Sequence, residues 1–118
     1  MSTTSVGRSG EARVQAYLEE RGYKLLRRNY RSGHREIDLI MQVGCTVVFV
    51  EVKSRSKTSH GTPAEFVTPT KQRLLTLAAQ GYLLEMGLTD VPARFDVVEV
   101  YLATGEVRHI ENAFDAIG

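Results

Sequence analysis

Apolar residues along this chain follow two periods, and the switches between them mark its elements. From about Gly7 to Arg21, Val14, Tyr17 and Leu18 recur at helical spacing and Gly22 supplies a stop, so a first helix is expected there. Glu11 falls on the same stripe as Val14 and Leu18. It points either toward the core or, as an ordinary first-turn acid, at the positive end of the helix dipole, and the stripe alone leaves both open. Tyr23 to Tyr30 reads as a strand ending in a turn at Asn29–Gly33, and two further strand runs flank Gly44-Cys45. Thr68 as N-cap and Pro69 at the first helical position open a second helix. Its apolar face is Leu74, Leu75, Ala78, Ala79, Tyr82 and Leu83, and Gly87 ends it. Ala93 to Ala103 reads as another strand, and Val107 to Ile110 pairs back after the Thr104-Gly105 turn. The chain reads as one domain over 1–118, with a loose tail at about 1–6 and a surface tail over 111–118, loosest from 115.

The two central runs carry charge where a sheet core should be apolar. If Gly44-Cys45 is a type II′ hairpin loop, residues pair when their numbers sum to 89: Val43 faces Thr46, Ile40 faces Phe49, Asp38 faces Glu51 and Glu36 faces Lys53. Side chains alternate with period two, so Glu36, Asp38, Glu51 and Lys53 emerge on one face. Opposed carboxylates repel, and burying them unpaired costs several kcal/mol. A divalent cation removes that penalty, because hard ions such as Mg²⁺ bind through one or two carboxylates plus waters and phosphate oxygens. Lys53 would then stand beside the ion, placed to hold an attacking water or offset developing charge. The structural alternative is a salt-bridge ladder, with Glu36 on Lys53 and one protonated carboxyl at Asp38 or Glu51.

Charge distribution adds direction to this. Through Arg73 there are 13 Lys and Arg against 7 Asp and Glu, and after it 2 against 7, although the net charge is only +1. Such asymmetry suits one phosphate-facing side. Its densest part holds Arg27, Arg28, Arg31 and Arg35, with Arg55 and Lys57 in the following stretch and Lys71 and Arg73 opening the second helix. The competing reading of the first cluster is an edge strand protected by charge. His60 and Glu65 lie in the loop-like stretch from Ser54 to Val67, and Asp96 shares a face with Val98 and Val100, as a ligand or as the partner of a nearby Arg. A lone Cys45, no secretory signal and no run long enough to span a bilayer lead us to expect a cytoplasmic protein.

These residues resemble a known family. Glu11 on the first helix, Asp38, and Glu51-Val52-Lys53 look like the PD-(D/E)XK nuclease superfamily. The blocks Gly10-Glu11, Glu36-Ile37-Asp38-Leu39-Ile40, Phe49-Val50-Glu51-Val52-Lys53-Ser54-Arg55, Lys71-Gln72-Arg73 and Arg94-Phe95-Asp96-Val97-Val98 are similar to the YraN-like predicted endonucleases, related in layout to Holliday-junction resolvases. The likeness runs from about Gly7 to Phe114, departing from the expected pattern at His34-Arg35, where a small residue would be usual. It implies an α/β, restriction-endonuclease-like core, a mixed β-sheet flanked by helices in the order α-β-β-β-α-β plus a terminal hairpin strand. It further implies Asp38 and Glu51 as ligands of Mg²⁺ or Mn²⁺, Lys53 assisting attack, Glu11 as an additional acid turned inward, and Gln72 supporting the site. Glu36 is expected to hold Lys53. The implied activity is endonucleolytic cleavage of DNA, branched or single-stranded, by a possible homodimer with no membrane partner. The alternative is a module that keeps the fold, binds nucleic acid or protein, and cuts nothing.

Overall fold

The computed structural model describes residues 3–33, 35–55 and 67–115, with side chains described from Gly10 onward; His34, Lys57, His60 and Glu65 lie outside the described residues. Its elements are α1 (Thr3–Glu20), β1 (Lys24–Ser32), β2 (Arg35–Val43), β3 (Thr46–Arg55), α2 (Pro69–Glu85), β4 (Ala93–Tyr101) and β5 (Glu106–Phe114). The strands form one five-stranded mixed sheet in the order β1-β2-β3-β4-β5, antiparallel except for the β3–β4 pair. That parallel pair needs a crossover, which α2 supplies. The architecture is therefore α/β, with helices flanking a mixed sheet in the expected order.

Each face of the sheet buries one helix. On one side Leu75, Ala78, Ala79 and Tyr82 of α2 pack on Ile40, Phe49, Phe95 and Val97. Tyr82 meets Tyr30 and Phe49 edge-on, with centroids 5.2 and 6.1 Å apart. On the other side Val14 and Leu18 of α1 pack on Leu39, Met41, Val48, Val50, Val98 and Val100. Gly10 lets α1 approach closely, since a Cβ there would displace the Ser54 hydroxyl of β3.

The central hairpin forms as its sequence dictates. Gly44 takes φ 58°, and pairing follows Val43↔Thr46, Gln42↔Val47, Met41↔Val48, Ile40↔Phe49 and Leu39↔Val50. At α2, the Thr68 hydroxyl accepts the Lys71 N–H at 3.2 Å and Gly87 takes φ 67° past the end.

Three boundaries differ from the sequence reading. α1 begins at Thr3, within the stretch expected to be a tail, because helical backbone extends beyond the first apolar stripe residue. β1 runs on to Ser32, absorbing the expected Asn29–Gly33 turn by placing Asn29 in the left-handed region at φ 48°. β5 runs to Phe114 where a surface tail was expected, since Phe114 stacks on Phe95 with ring centroids 4.7 Å apart.

Candidate active site

Asp38, Glu51 and Lys53 meet on the α2 side of the sheet, where the β2–β3 ladder stops. Beyond Leu39↔Val50 no further pairs form. Val52, which would oppose Ile37 if the register ran on, donates its N–H to Asp38 Oδ2 at 2.8 Å instead. The strands thus open at the point where the acids begin, and Asp38 is held by backbone.

The Asp38 and Glu51 carboxyls lie close enough to act on each other directly. Burial first, then the Glu51 charge, pushes the Asp38 carboxyl up to about 8, against the pull of the Val52 N–H. Burial and the Glu51 charge thus favour a protonated Asp38 at neutral pH in the ion-free protein. Glu51 is itself buried, and Lys71 Nζ approaches its Oε2 at 3.3 Å. Burial and the neighbouring Lys71 charge hold the Lys53 ammonium below its usual value, opposed by Glu51 and Asp38. Burial also pulls on Lys71, but the Glu51 charge and the contact with Lys53 outweigh it and raise its value. Two carboxyls and two ammonium groups thus make one cluster.

Lys71, expected to face nucleic acid, also reaches from the first turn of α2 to form an ion pair with Glu51. The sequence signal for this was the cation at the positive end of a helix, which asks for an anion nearby. Glu36 was expected to hold Lys53 and does not. β2 pairs it with Arg31 of β1, whose Nε stands 3.6 Å from Glu36 Oε2, and among the described residues its carboxylate is engaged by Arg31 and Asn29. The physical reason is the departure of the ladder at Asp38, which removes Glu36 from opposite Lys53.

Glu11 approaches from α1, and its charge adds a smaller upward push on Asp38 than burial or Glu51 does. Asn29 Nδ2 donates to Glu11 Oε1 and to Glu36 Oε1, both at 2.9 Å, so one amide ties α1 to β2 beside the site. Nothing in the reading of the sequence singled Asn29 out; its left-handed φ on a strand is the structural signal. Gln72 uses its amide to donate to the Val67 carbonyl at 3.0 Å, closing the entry to α2.

Arg27, Arg28 and Arg31 lie exposed on β1, and Arg73 is exposed on α2. Arg55 Nε pairs with the buried Glu99 Oε2 at 3.3 Å. The Tyr101 hydroxyl donates to the same oxygen at 3.3 Å, and Arg108 stands 3.8 Å from the other. Arg55 is thus committed to an internal carboxylate. Glu99 neighbours Lys53 in the parallel register. Asp96 takes its other expected role. On the opposite face by strand alternation, it binds Arg94 Nε at 3.0 Å and His109 Nε2 at 2.7 Å.

Among the described residues, no three His, Cys, Asp or Glu converge to hold a metal ion by themselves. A proton held on one of two adjacent carboxyls is nevertheless what a divalent cation would displace. Asp38 and Glu51 fit an ion that completes its shell with water and phosphate oxygens. No helix of the described residues is long and apolar enough to cross a membrane.

The family model described as "Uncharacterised protein family UPF0102" matches residues 10–100. The UPF0102 protein of Chlorobium chlorochromatii is 43% identical, over 96% of this chain and 93% of its own length. That of Geotalea uraniireducens is 44% identical over 94% and 90%, and that of Clostridioides difficile is 40% identical over 97% and 100%. Among solved structures, Pyrococcus furiosus SfsA in complex with Ca²⁺ aligns with TM-score 0.37 and 15% identity, over 92% of this chain and 63% of its own. This chain spans less than two thirds of it, and the likeness is too loose for residues to be compared.

Proposed function

We propose that this chain, which belongs to the uncharacterised protein family UPF0102, is a divalent-metal-dependent endonuclease that hydrolyses phosphodiester bonds in DNA. The observation that carries the proposal is the pairing of Asp38 with Glu51 at the opening of the β2–β3 ladder, with Lys53 alongside. Asp38 and Glu51 would hold Mg²⁺ or Mn²⁺, which when bound polarises a phosphoryl oxygen and makes a bound water more acidic. Val52 fixes the direction of the Asp38 carboxylate through its N–H. Lys53, half-buried and held below its usual value, aligns the attacking water and offsets charge that develops on the phosphate. Glu11, oriented by Asn29, adds negative potential at the rim. The exposed Arg27, Arg28 and Arg31 supply positive charge along β1 for the strand.

The test is incubation of purified protein with branched, single-stranded and duplex DNA in Mn²⁺. Cleavage should be lost in Asp38→Asn, Glu51→Gln and Lys53→Ala. No cleavage of any substrate, or cleavage unchanged in these variants, refutes the proposal.

A second reading rests on Lys71. Its ammonium already compensates Glu51 at 3.3 Å without an added cation, as suits a module that binds nucleic acid and cuts nothing. Calorimetric titration separates the two, because such a module shows no carboxylate-dependent uptake of Mn²⁺.

A further inference from the structure

Beside the carboxyl pair, a groove of about 350 Å³ runs between β2 and the first turn of α2, lined by Arg35, Glu36, Thr68, Thr70, Lys71 and Leu74. Lys71 belongs both to this wall and to the Glu51 ion pair, so the groove opens onto the site. Arg35 contributes a free donor: its Nε is buried and has no hydrogen-bond partner among the described residues. Such an orphan is unfavourable unless a ligand satisfies it. Glu36 does not cancel the positive wall, because Asn29 and Arg31 already engage its carboxylate. Leu74 supplies an apolar surface on which a sugar or base can lie.

We propose that this groove receives one unpaired nucleotide of the substrate strand, with Arg35 and Lys71 on its phosphate and Leu74 against its sugar and base. The inference rests on the nuclease reading for the direction in which the strand leaves the groove. The volume falls at the small end of the range for ligand pockets, roughly 300–1,000 Å³. A duplex can offer a nucleotide to such a space only by unpairing and unstacking it, at a few kcal/mol, whereas a single strand or a branch point offers one at far less cost. Arg35 and Lys71 thereby select for unpaired nucleic acid without reading its sequence.

The experiment is fluorescence anisotropy in EDTA with a short labelled single-stranded oligodeoxynucleotide and with the duplex of the same sequence, using wild type, Arg35→Gln and Thr70→Glu. Thr70 is exposed in the first turn of α2, where an acid favours the helix dipole, so the Glu variant folds and yet repels phosphate. The single strand should bind more tightly than the duplex. Each variant should weaken single-strand binding roughly tenfold, the worth of one charge-assisted contact, and duplex binding less. Single-strand affinity unchanged in Thr70→Glu, or an equal loss for both probes, overturns the proposal. A parallel Mn²⁺ cleavage assay keeps the two readings apart: variant-sensitive single-strand binding without cleavage supports the groove and refutes the nuclease.

Discussion

The Asp38 carboxylate accepts the Val52 backbone N–H at 2.8 Å, in the place that the Ile37 carbonyl would occupy in a continued ladder. A side chain that replaces a backbone acceptor is fixed in direction by the strand itself, and its charge is fixed with it. Asp38→Asn keeps an oxygen for Val52 and needs no proton to be held beside Glu51, so the ion-free protein should gain about 1–3 kcal/mol at neutral pH while losing cleavage. Asp38→Ala removes the acceptor as well and should be less stable than the Asn variant by about 1 kcal/mol. Urea denaturation of the three proteins in EDTA measures both differences.

The same carboxyl sets a pH dependence. Its value rises from an ordinary 3.8 to about 8 on folding. Between those limits the folded chain holds a proton that the unfolded chain has released, so this group's contribution to stability is greatest at low pH and is lost as pH rises through that window. In EDTA, the urea midpoint should fall from about pH 5 to about pH 9, and the fall should be absent in Asp38→Asn. On the proposed function Mn²⁺ would bind the doubly ionised pair, so saturating Mn²⁺ should flatten the slope and raise the melting temperature by about 5 °C or more at neutral pH. Equal slopes with and without Mn²⁺ would mean that the ion does not bind there.

Lys71 and Lys53 should titrate as a pair. The Lys71 charge is one of the influences that hold the Lys53 ammonium down. Lys71→Met removes that charge and should move Lys53 upward toward its ordinary value. NMR titration of dimethylated lysines reports the shift, and an unmoved Lys53 would show that burial alone sets its value.

Most of the fold and part of the site were legible in the sequence, for reasons visible in particular residues. Gly44 and the alternation around it fix the hairpin register, because a slip of one residue would turn Ile40 and Phe49 away from α2. That register brought Asp38 beside Glu51. It failed at Glu36 because it assumed that the ladder continued, whereas Asp38 competes with backbone for the Val52 N–H, a choice set by the tertiary contact with Glu51. Lys71 joins the cluster through the docking of α2 on the sheet, which no local pattern encodes. The far half of β5 was hidden for another reason. Glu111 and Asn112 fell in the expected surface tail, yet the Asn112 N–H is spent on the buried Asp96, beside His109.

Asp96 yields the last prediction, on the face away from the candidate active site. Fully buried, it accepts from His109 Nε2 at 2.7 Å, Arg94 Nε at 3.0 Å and the Asn112 N–H at 2.9 Å. Burial alone would raise its carboxyl, but the bonds from His109, Arg94 and Asn112 outweigh it and hold the value below the usual range. Asn112 sits in the left-handed region at φ 50°, where the β4–β5 register shifts between Phe95 and Val97, so Asp96 pins that irregularity in place. Asp96→Asn leaves Arg94 without its buried counter-charge and should cost about 3–5 kcal/mol at neutral pH. The sign of the pH effect is opposite to that of Asp38. A depressed carboxyl stabilises the fold above its unfolded value, and that contribution is lost as pH falls through the folded value. Urea denaturation of wild type and Asp96→Asn at about pH 7 and about pH 3 should show the gap between them narrowing on acidification. A gap that stays constant would mean that the Asp96 charge contributes nothing and that the bulge is held by packing of Phe114 on Phe95.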